Sequence, residues 1–154
     1  MQREWRVGLL LLVFALAVGV VSGSGAMAGP STADSRNAIF TDIDNATLKR
    51  LASQGVPIVD IRRPDEWKET GVIAGSRLIT LFTDGRGSVN PQFMPGFSKM
   101  VSPGDAVVVV CRTGNRSAFL ADALARQMGY SKIYNLTHGI VGWIGAGNAV
   151  VAPR

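Results

Sequence analysis

The apolar residues of this chain fall into blocks whose periods differ, and the differences predict an alternation of strands and helices. Val107-Val108-Val109-Val110 is a run of four β-branched residues and reads as a strand buried on both faces. Directly after it, Ala118, Leu120, Ala121, Leu124, Ala125 and Met128 recur at helical spacing, with Ser117 as the expected N-cap and Gly129 as the stop. Upstream, Asp44 is the expected N-cap of a helix running through Ser53, with Leu48 and Leu51 facing inward and Gly55 closing it. Pro57 to Ile61 suits a central parallel strand, and Ala38–Ile43, Leu78–Phe82, Lys132–Leu136 and Val150-Val151 are shorter strand candidates. Pro91 to Met100 reads as an irregular helix broken near Pro95-Gly96, and Gly139 to Ile144 as a small helix with Trp143 packed inward. The alternation implies an α/β fold, a central parallel sheet with helices on both faces.

The first apolar block is of another kind. Arg3, Glu4 and Arg6 precede Val7 to Val21, a stretch without a charge, and Ala26-Met27-Ala28 fits a small-x-small cleavage site. Residues 1–28 are therefore expected to be a cleaved secretory signal peptide, the alternative being an uncleaved membrane anchor. Either reading places the rest outside the cytoplasm, with the periplasm as the expected compartment. Residues 29–37, rich in Ser, Thr and Gly, are expected to form a disordered lead-in, and residues 38–152 one domain with a single core.

Charge narrows the function classes. The formal charge is +5 over 154 residues, and its cations are scattered, with no Lys/Arg run and no interleaved aromatics. Nucleic-acid binding has no footprint here, while a preference for small anions fits. No metal and no separate cofactor are expected. The single cysteine, Cys111, rules out an intrachain disulfide, so the core must hold the fold. It also leaves an unpaired thiol in an exported protein, and a thiol kept in an oxidising compartment is expected to be used.

Cys111 stands at the carboxyl end of the Val strand, which is where open α/β sheets bind ligands against loop amides and a helix N-terminus. Arg112, Thr113, Gly114, Asn115, Arg116 and Ser117 follow it. A thiol near a helix N-terminus and cationic side chains ionises more readily than a free cysteine, which makes it a nucleophile. The alternative is that Cys111 is a small buried hydrophobe ending an apolar strand. Against that alternative stand two arginines, a glycine, an asparagine and a serine within six residues, a ring of donors suited to an anion.

The run Cys111-Arg112-Thr113-Gly114-Asn115-Arg116-Ser117 resembles the active-site loop of rhodanese-type sulfurtransferases. Ile58 to Trp67 is similar to that family's strand ending in Asp-x-Arg and its following acidic-aromatic helix, and Gly139-Ile140-Val141-Gly142-Trp143 to its last helix. The resemblance covers about Phe40 to Val151. It implies a single rhodanese-like domain in which Cys111 takes a sulfane sulfur from thiosulfate or a related anionic donor as a covalent persulfide and passes it to cyanide or a thiol, as a monomer. Residues Arg112 to Ser117 would bind the substrate. Asp60, Arg62 and Glu66 would give structural support, with Arg62 and Glu66 expected to form an ion pair and Asp60 to bond loop amides. Two departures stand out: Val72 and Ala74 replace the family's His and Pro in Gly-His-Ile-Pro-Gly-Ala, and His138 replaces the first Gly of Gly-Gly-x-x-x-Trp, where a bland loop role is expected.

Two rivals remain at this stage. Cysteine-dependent phosphatases and arsenate reductases use a similar loop with five residues between Cys and Arg, whereas four separate Cys111 from Arg116. The smaller ring suits one sulfur atom better than a phosphate. A persulfide carrier that hands sulfur to a protein partner would share every one of these features.

Overall fold

Residues 39–154 are described by the structure, a computed structural model. The expected signal segment (1–28) and lead-in (29–37) lie outside these residues. Among the described residues no helix is long and apolar enough to cross a membrane.

In the described residues five strands and five helices alternate: β1 (Thr41–Ile43), α1 (Asn45–Ser53), β2 (Ile58–Asp60), α2 (Pro64–Thr70), β3 (Arg77–Leu78), α3 (Phe93–Met100), β4 (Ala106–Val110), α4 (Asn115–Met128), β5 (Lys132–Leu136) and α5 (Gly139–Gly145). All pairings are parallel in the order β1-β5-β4-β2-β3, so the Val strand, β4, lies at the centre. Its register sets Ile58 beside Val108 on one side and Val108 beside Tyr134 on the other.

A strand alternates its side chains between two faces, and β4 divides the core accordingly. Val107, Val109 and Cys111 point into a cluster with Phe93, Phe97, Leu120, Leu124 and Tyr130 from the α3 and α4 side. Val108 and Val110 point into the other cluster, with Leu48, Leu51, Ile140 and Trp143 from α1 and α5. All four valines are fully buried, each worth about 1.5 kcal/mol or more relative to exposure. Cys111 thus continues the α4-facing row of β4.

Asp44 caps α1 as expected, accepting from the Thr47 amide at 2.8 Å, and Gly129 ends α4 at φ 73°. Four expectations about the elements need correction. The helix over 93–100 is continuous, because Pro95 falls in its first turn, where a missing N–H loses no intrahelical bond, and Gly96 makes room for Ile79. Strand β3 stops at Leu78; the chain beyond still runs beside β2, with Ile79 and Leu81 amides donating to Asp60 and Ile61 carbonyls. Val151 forms only an antiparallel bridge with Val72. The fourth correction concerns the start of α4 and bears on the site.

Candidate functional site

Cys111 is fully buried at the end of β4. The next three residues turn back over it, and the Gly114 amide donates to Cys111 Sγ at 3.2 Å. Gly114 has φ 94°, in the left-handed region, and a β-carbon there would strike the Thr137 carbonyl, so only glycine fits. Gly114, not Ser117, is the N-cap of α4. Asn115, Arg116 and Ser117 are the first helical residues, and their N–H groups have no intrahelical acceptors.

Ser117 is buried as the third residue of the helix, and its hydroxyl turns inward instead of capping. Ser117 Oγ lies 3.3 Å from Cys111 Sγ, 3.0 Å from the Gly114 carbonyl and 2.6 Å from Asn135 Oδ1 on β5. Asn135 in turn donates from Nδ2 to Asp42 Oδ1 on β1 at 2.7 Å. Asn135 and Asp42 escaped sequence reasoning. Their only signal was a polar residue at an inward position of the apolar strand 132–136.

Helix α5 backs the loop from the other side. Ile140 donates its amide to the Cys111 carbonyl at 2.9 Å and Val141 to the Arg112 carbonyl at 3.1 Å. Both loop carbonyls are therefore drawn toward α5 and away from the sulfur. Gly139 makes this approach feasible, since a β-carbon there would lie 2.5 Å from each of those two oxygens. His138 is exposed and forms the N-cap of α5 without a capping bond from its side chain.

The two loop arginines are in different surroundings. Arg116 donates from Nη1 and Nη2 to Glu66 Oε2 and Oε1 at 2.8 and 2.6 Å, a two-pronged pair largely withdrawn from solvent. Glu66 also accepts from the Arg63 amide at the start of α2. Burial pushes the Glu66 carboxyl up, but the bonds from Arg116 and the Arg63 amide outweigh it and hold the group below its usual range. The same pair raises Arg116 against the opposing cost of its burial. Arg112 is half exposed at the rim, with only a loose 3.4 Å contact to exposed Glu69.

The expected Arg62–Glu66 pair does not form. Arg62, fully buried, forks onto the Asp60 carboxylate through Nε and Nη2 at 2.7 to 3.0 Å. It also donates to the Thr70 hydroxyl and to the Glu66 and Gly71 carbonyls. It meets Glu66 only through that carbonyl, leaving the Glu66 carboxylate for Arg116. Asp60 bonds one loop amide, that of Arg62. Val72, in place of the family's His, is buried and bridges to Val151.

The parallel order, the amide loop over Cys111 and the Glu66 brace set a buried thiol against backbone donors at the carboxyl end of an α/β sheet. The family profile of the rhodanese-like domain matches residues 44–146. A sulfurtransferase of Allochromatium vinosum is 32% identical over 118 residues, covering 75% of this chain and 99% of that one. Among solved structures, a rhodanese-related protein of Thermoplasma volcanium superposes with a TM-score of 0.56 at 25% identity, over 73% of this chain and 99% of that one. The polysulfide-sulfur transferase homodimer of Wolinella succinogenes gives 0.57 at 25% identity, over 77% and 82%. This chain belongs to the rhodanese-like domain family, and its kinship is with the sulfurtransferases of that family.

Proposed function

We propose that the chain moves a sulfane sulfur from thiosulfate or a related anionic donor to cyanide or a thiol, with Cys111 as the nucleophile. The Cys111 thiolate attacks the outer sulfur of thiosulfate; the sulfur–sulfur bond of the donor breaks and its electron pair leaves with sulfite. The product is a persulfide whose terminal sulfur carries the negative charge. Cyanide or a thiolate then attacks that terminal sulfur and returns Cys111 as thiolate, a ping-pong route that uses no metal or separate cofactor.

The observation that carries this reading is the amide cradle. The Gly114 N–H already points at Sγ, the N–H groups of Asn115 to Ser117 are left over from helix formation, and the Cys111 and Arg112 carbonyls are tied back by α5. Fixed donors of this kind stabilise an anion without reorganising, as an oxyanion hole does. Arg112 at the rim attracts the donor. Arg116, committed to Glu66, holds the loop, and for the same reason is a poor ligand for a phosphoryl group. Thr113 and Asn115 are exposed on the loop and would meet the donor beside Arg112.

Replacing Cys111 by Ser tests the reading, because a hydroxyl is nearly isosteric but not ionised at neutral pH. After incubation with thiosulfate, the wild type should gain the mass of one sulfur and the variant none. Steady-state thiocyanate formation should be lost in the variant, and substantial residual turnover would sink the assignment. Stoichiometric loading of the wild type without turnover would point to a persulfide carrier serving a protein acceptor.

Residues 1–28 direct export in this reading, and the domain acts outside the cytoplasm, in the periplasm of a diderm host. Protein recovered from the native host should begin at or near Gly29; full-length chain in the membrane fraction would favour the anchor.

A further inference from the structure

The hydroxyl of Ser117 has one proton and three acceptors within reach: Asn135 Oδ1 at 2.6 Å, the Gly114 carbonyl at 3.0 Å and Cys111 Sγ at 3.3 Å. Which acceptor takes it is decided by groups remote from the sulfur. A carboxylate can only accept, so Asp42 requires the amide nitrogen of Asn135 to face it, at 2.7 Å, and that turns Oδ1 toward Ser117. The shortest of the three contacts then draws the serine proton toward Asn135, and the oxygen lone pairs of Ser117 face Cys111.

We propose that Asp42 and Asn135 are positioning residues that hold the Ser117 proton away from Cys111, so that the relay favours the neutral thiol and the hydroxyl must turn to the sulfur when the thiolate forms. In the thiol state the order of donation is Cys111 to Ser117 to Asn135, with Asn135 also donating to Asp42. When the thiol loses its proton to solvent, Ser117 rotates, gives up Asn135 and donates to Sγ. Once Sγ carries a second sulfur, the negative charge lies one atom further out and the hydroxyl can return to Asn135. This deepens the proposed function by giving the thiol a gate on its ionisation, and it rests on that reading for its purpose but not for its test.

The other charged groups near the sulfur are the same with and without the relay. They are Arg112 in the loop with Glu69 of α2 against it, Arg116 on α4 with its partner Glu66, Arg63 just before α2, His138 just before α5, and the closed Asp60–Arg62 pair at the end of β2. Helix α5 contributes no charged side chain. A change in thiol reactivity on altering Asp42 or Asn135 would therefore report the relay.

The experiment is the rate of Cys111 alkylation by iodoacetamide from pH 5 to 9 on the intact folded protein, which needs no sulfur substrate. Removing the strongest competing acceptor in Asn135→Leu leaves Ser117 only the Gly114 carbonyl and the thiolate to donate to, and of these the charged sulfur is the stronger acceptor. Alkylation below neutral pH should then rise about fivefold, the worth of one ordinary hydrogen bond, while the plateau at high pH stays. Asp42→Asn, at the exposed edge strand, lets the Asn135 amide turn and should give a smaller change of the same sign; it decides the matter alone if Asn135→Leu fails to fold. In a Ser117→Ala background neither substitution should have any effect. Profiles that match the wild type in the folded variants, or shifts that persist without the Ser117 hydroxyl, would overturn the relay. Loss of sulfur transfer alone would instead bear on the proposed function.

Discussion

Glu66 and Arg116 meet across 50 positions of sequence in a two-pronged ion pair of 2.6 and 2.8 Å, which ties the first turn of α2 to the first turn of α4. The carboxylate is only 6% exposed and the guanidinium 25%. Because the same carboxylate accepts the Arg63 amide, one side chain fixes both the start of α2 and the loop over Cys111.

Arg116→Ala should therefore lower stability and kcat together. Breaking a buried pair from one side costs about 3–5 kcal/mol, and the partial exposure of Arg116 reduces the expectation to about 2 kcal/mol. Urea unfolding and steady-state kinetics check both halves; an intact kcat in a destabilised variant would separate the brace from the site.

The pH dependence of stability follows from the Glu66 carboxyl, which the fold holds below its ordinary value of 4.5. A depressed carboxylate contributes fully above its unfolded value and loses that contribution as pH falls through the folded one. Acid unfolding of the wild type should accordingly steepen below about pH 4.5. Glu66→Gln should be less stable at neutral pH and show a shallower acid limb; parallel limbs would assign the acid sensitivity to other groups.

Arg112 and Glu69 make opposite demands on an anionic donor. Both are exposed and their 3.4 Å contact is loose, so the pair adds little to stability. Arg112→Ala should raise KM for thiosulfate, and Glu69→Gln should lower it about twofold by freeing the rim cation, with kcat unchanged in each. Both effects should fade in salt, which screens exposed charges over about 8 Å at physiological ionic strength. Insensitivity of KM to both substitutions would remove Arg112 from the donor's path.

Gly139 is the point where α5 closes on the loop. Gly139→Ala places a β-carbon 2.5 Å from the Cys111 and Arg112 carbonyls at φ 56°, so the two bonds from Ile140 and Val141 must lengthen. A loss of about 2 kcal/mol is expected from the clash and the strained backbone. Turnover per folded molecule should fall as well, because the freed carbonyls can face the sulfur.

Much of this was legible locally. The Val107–Val110 run located the central strand because four consecutive valines suit a strand buried on both faces, and Gly114 marked the short turn from that strand into the next helix, whereas the close approach of Gly139 to the loop carbonyls left no mark in the sequence. What escaped depended on partners far away in sequence. Arg62 and Glu66 are four apart and looked like a pair, yet Asp60 sits two residues from Arg62 and offers both oxygens, while Arg116 arrives from α4 to take Glu66. Ser117 suited an N-cap, but Gly114 reaches the left-handed turn that starts the helix earlier and leaves the serine facing the core. The Asn135–Asp42 contact joins β5 to β1 across 93 positions, which no local pattern encodes.

Arg62 offers the sharpest contrast between support and chemistry. Its buried guanidinium spends Nε and both terminal nitrogens on Asp60, on the half-buried Thr70 hydroxyl and Gly71 carbonyl, and on the Glu66 carbonyl. Lysine keeps the charge but has one nitrogen in place of the planar fork, so Arg62→Lys cannot reach these acceptors together. Several would be left buried and unpaired at about 1–3 kcal/mol each, partly offset by relaxation, for a net loss of about 3 kcal/mol. Because none of these partners touches Cys111, the pH profile of thiol alkylation in the folded fraction should match the wild type. A displaced profile would mean that the Asp60–Arg62 pair acts on the sulfur as well as on the fold.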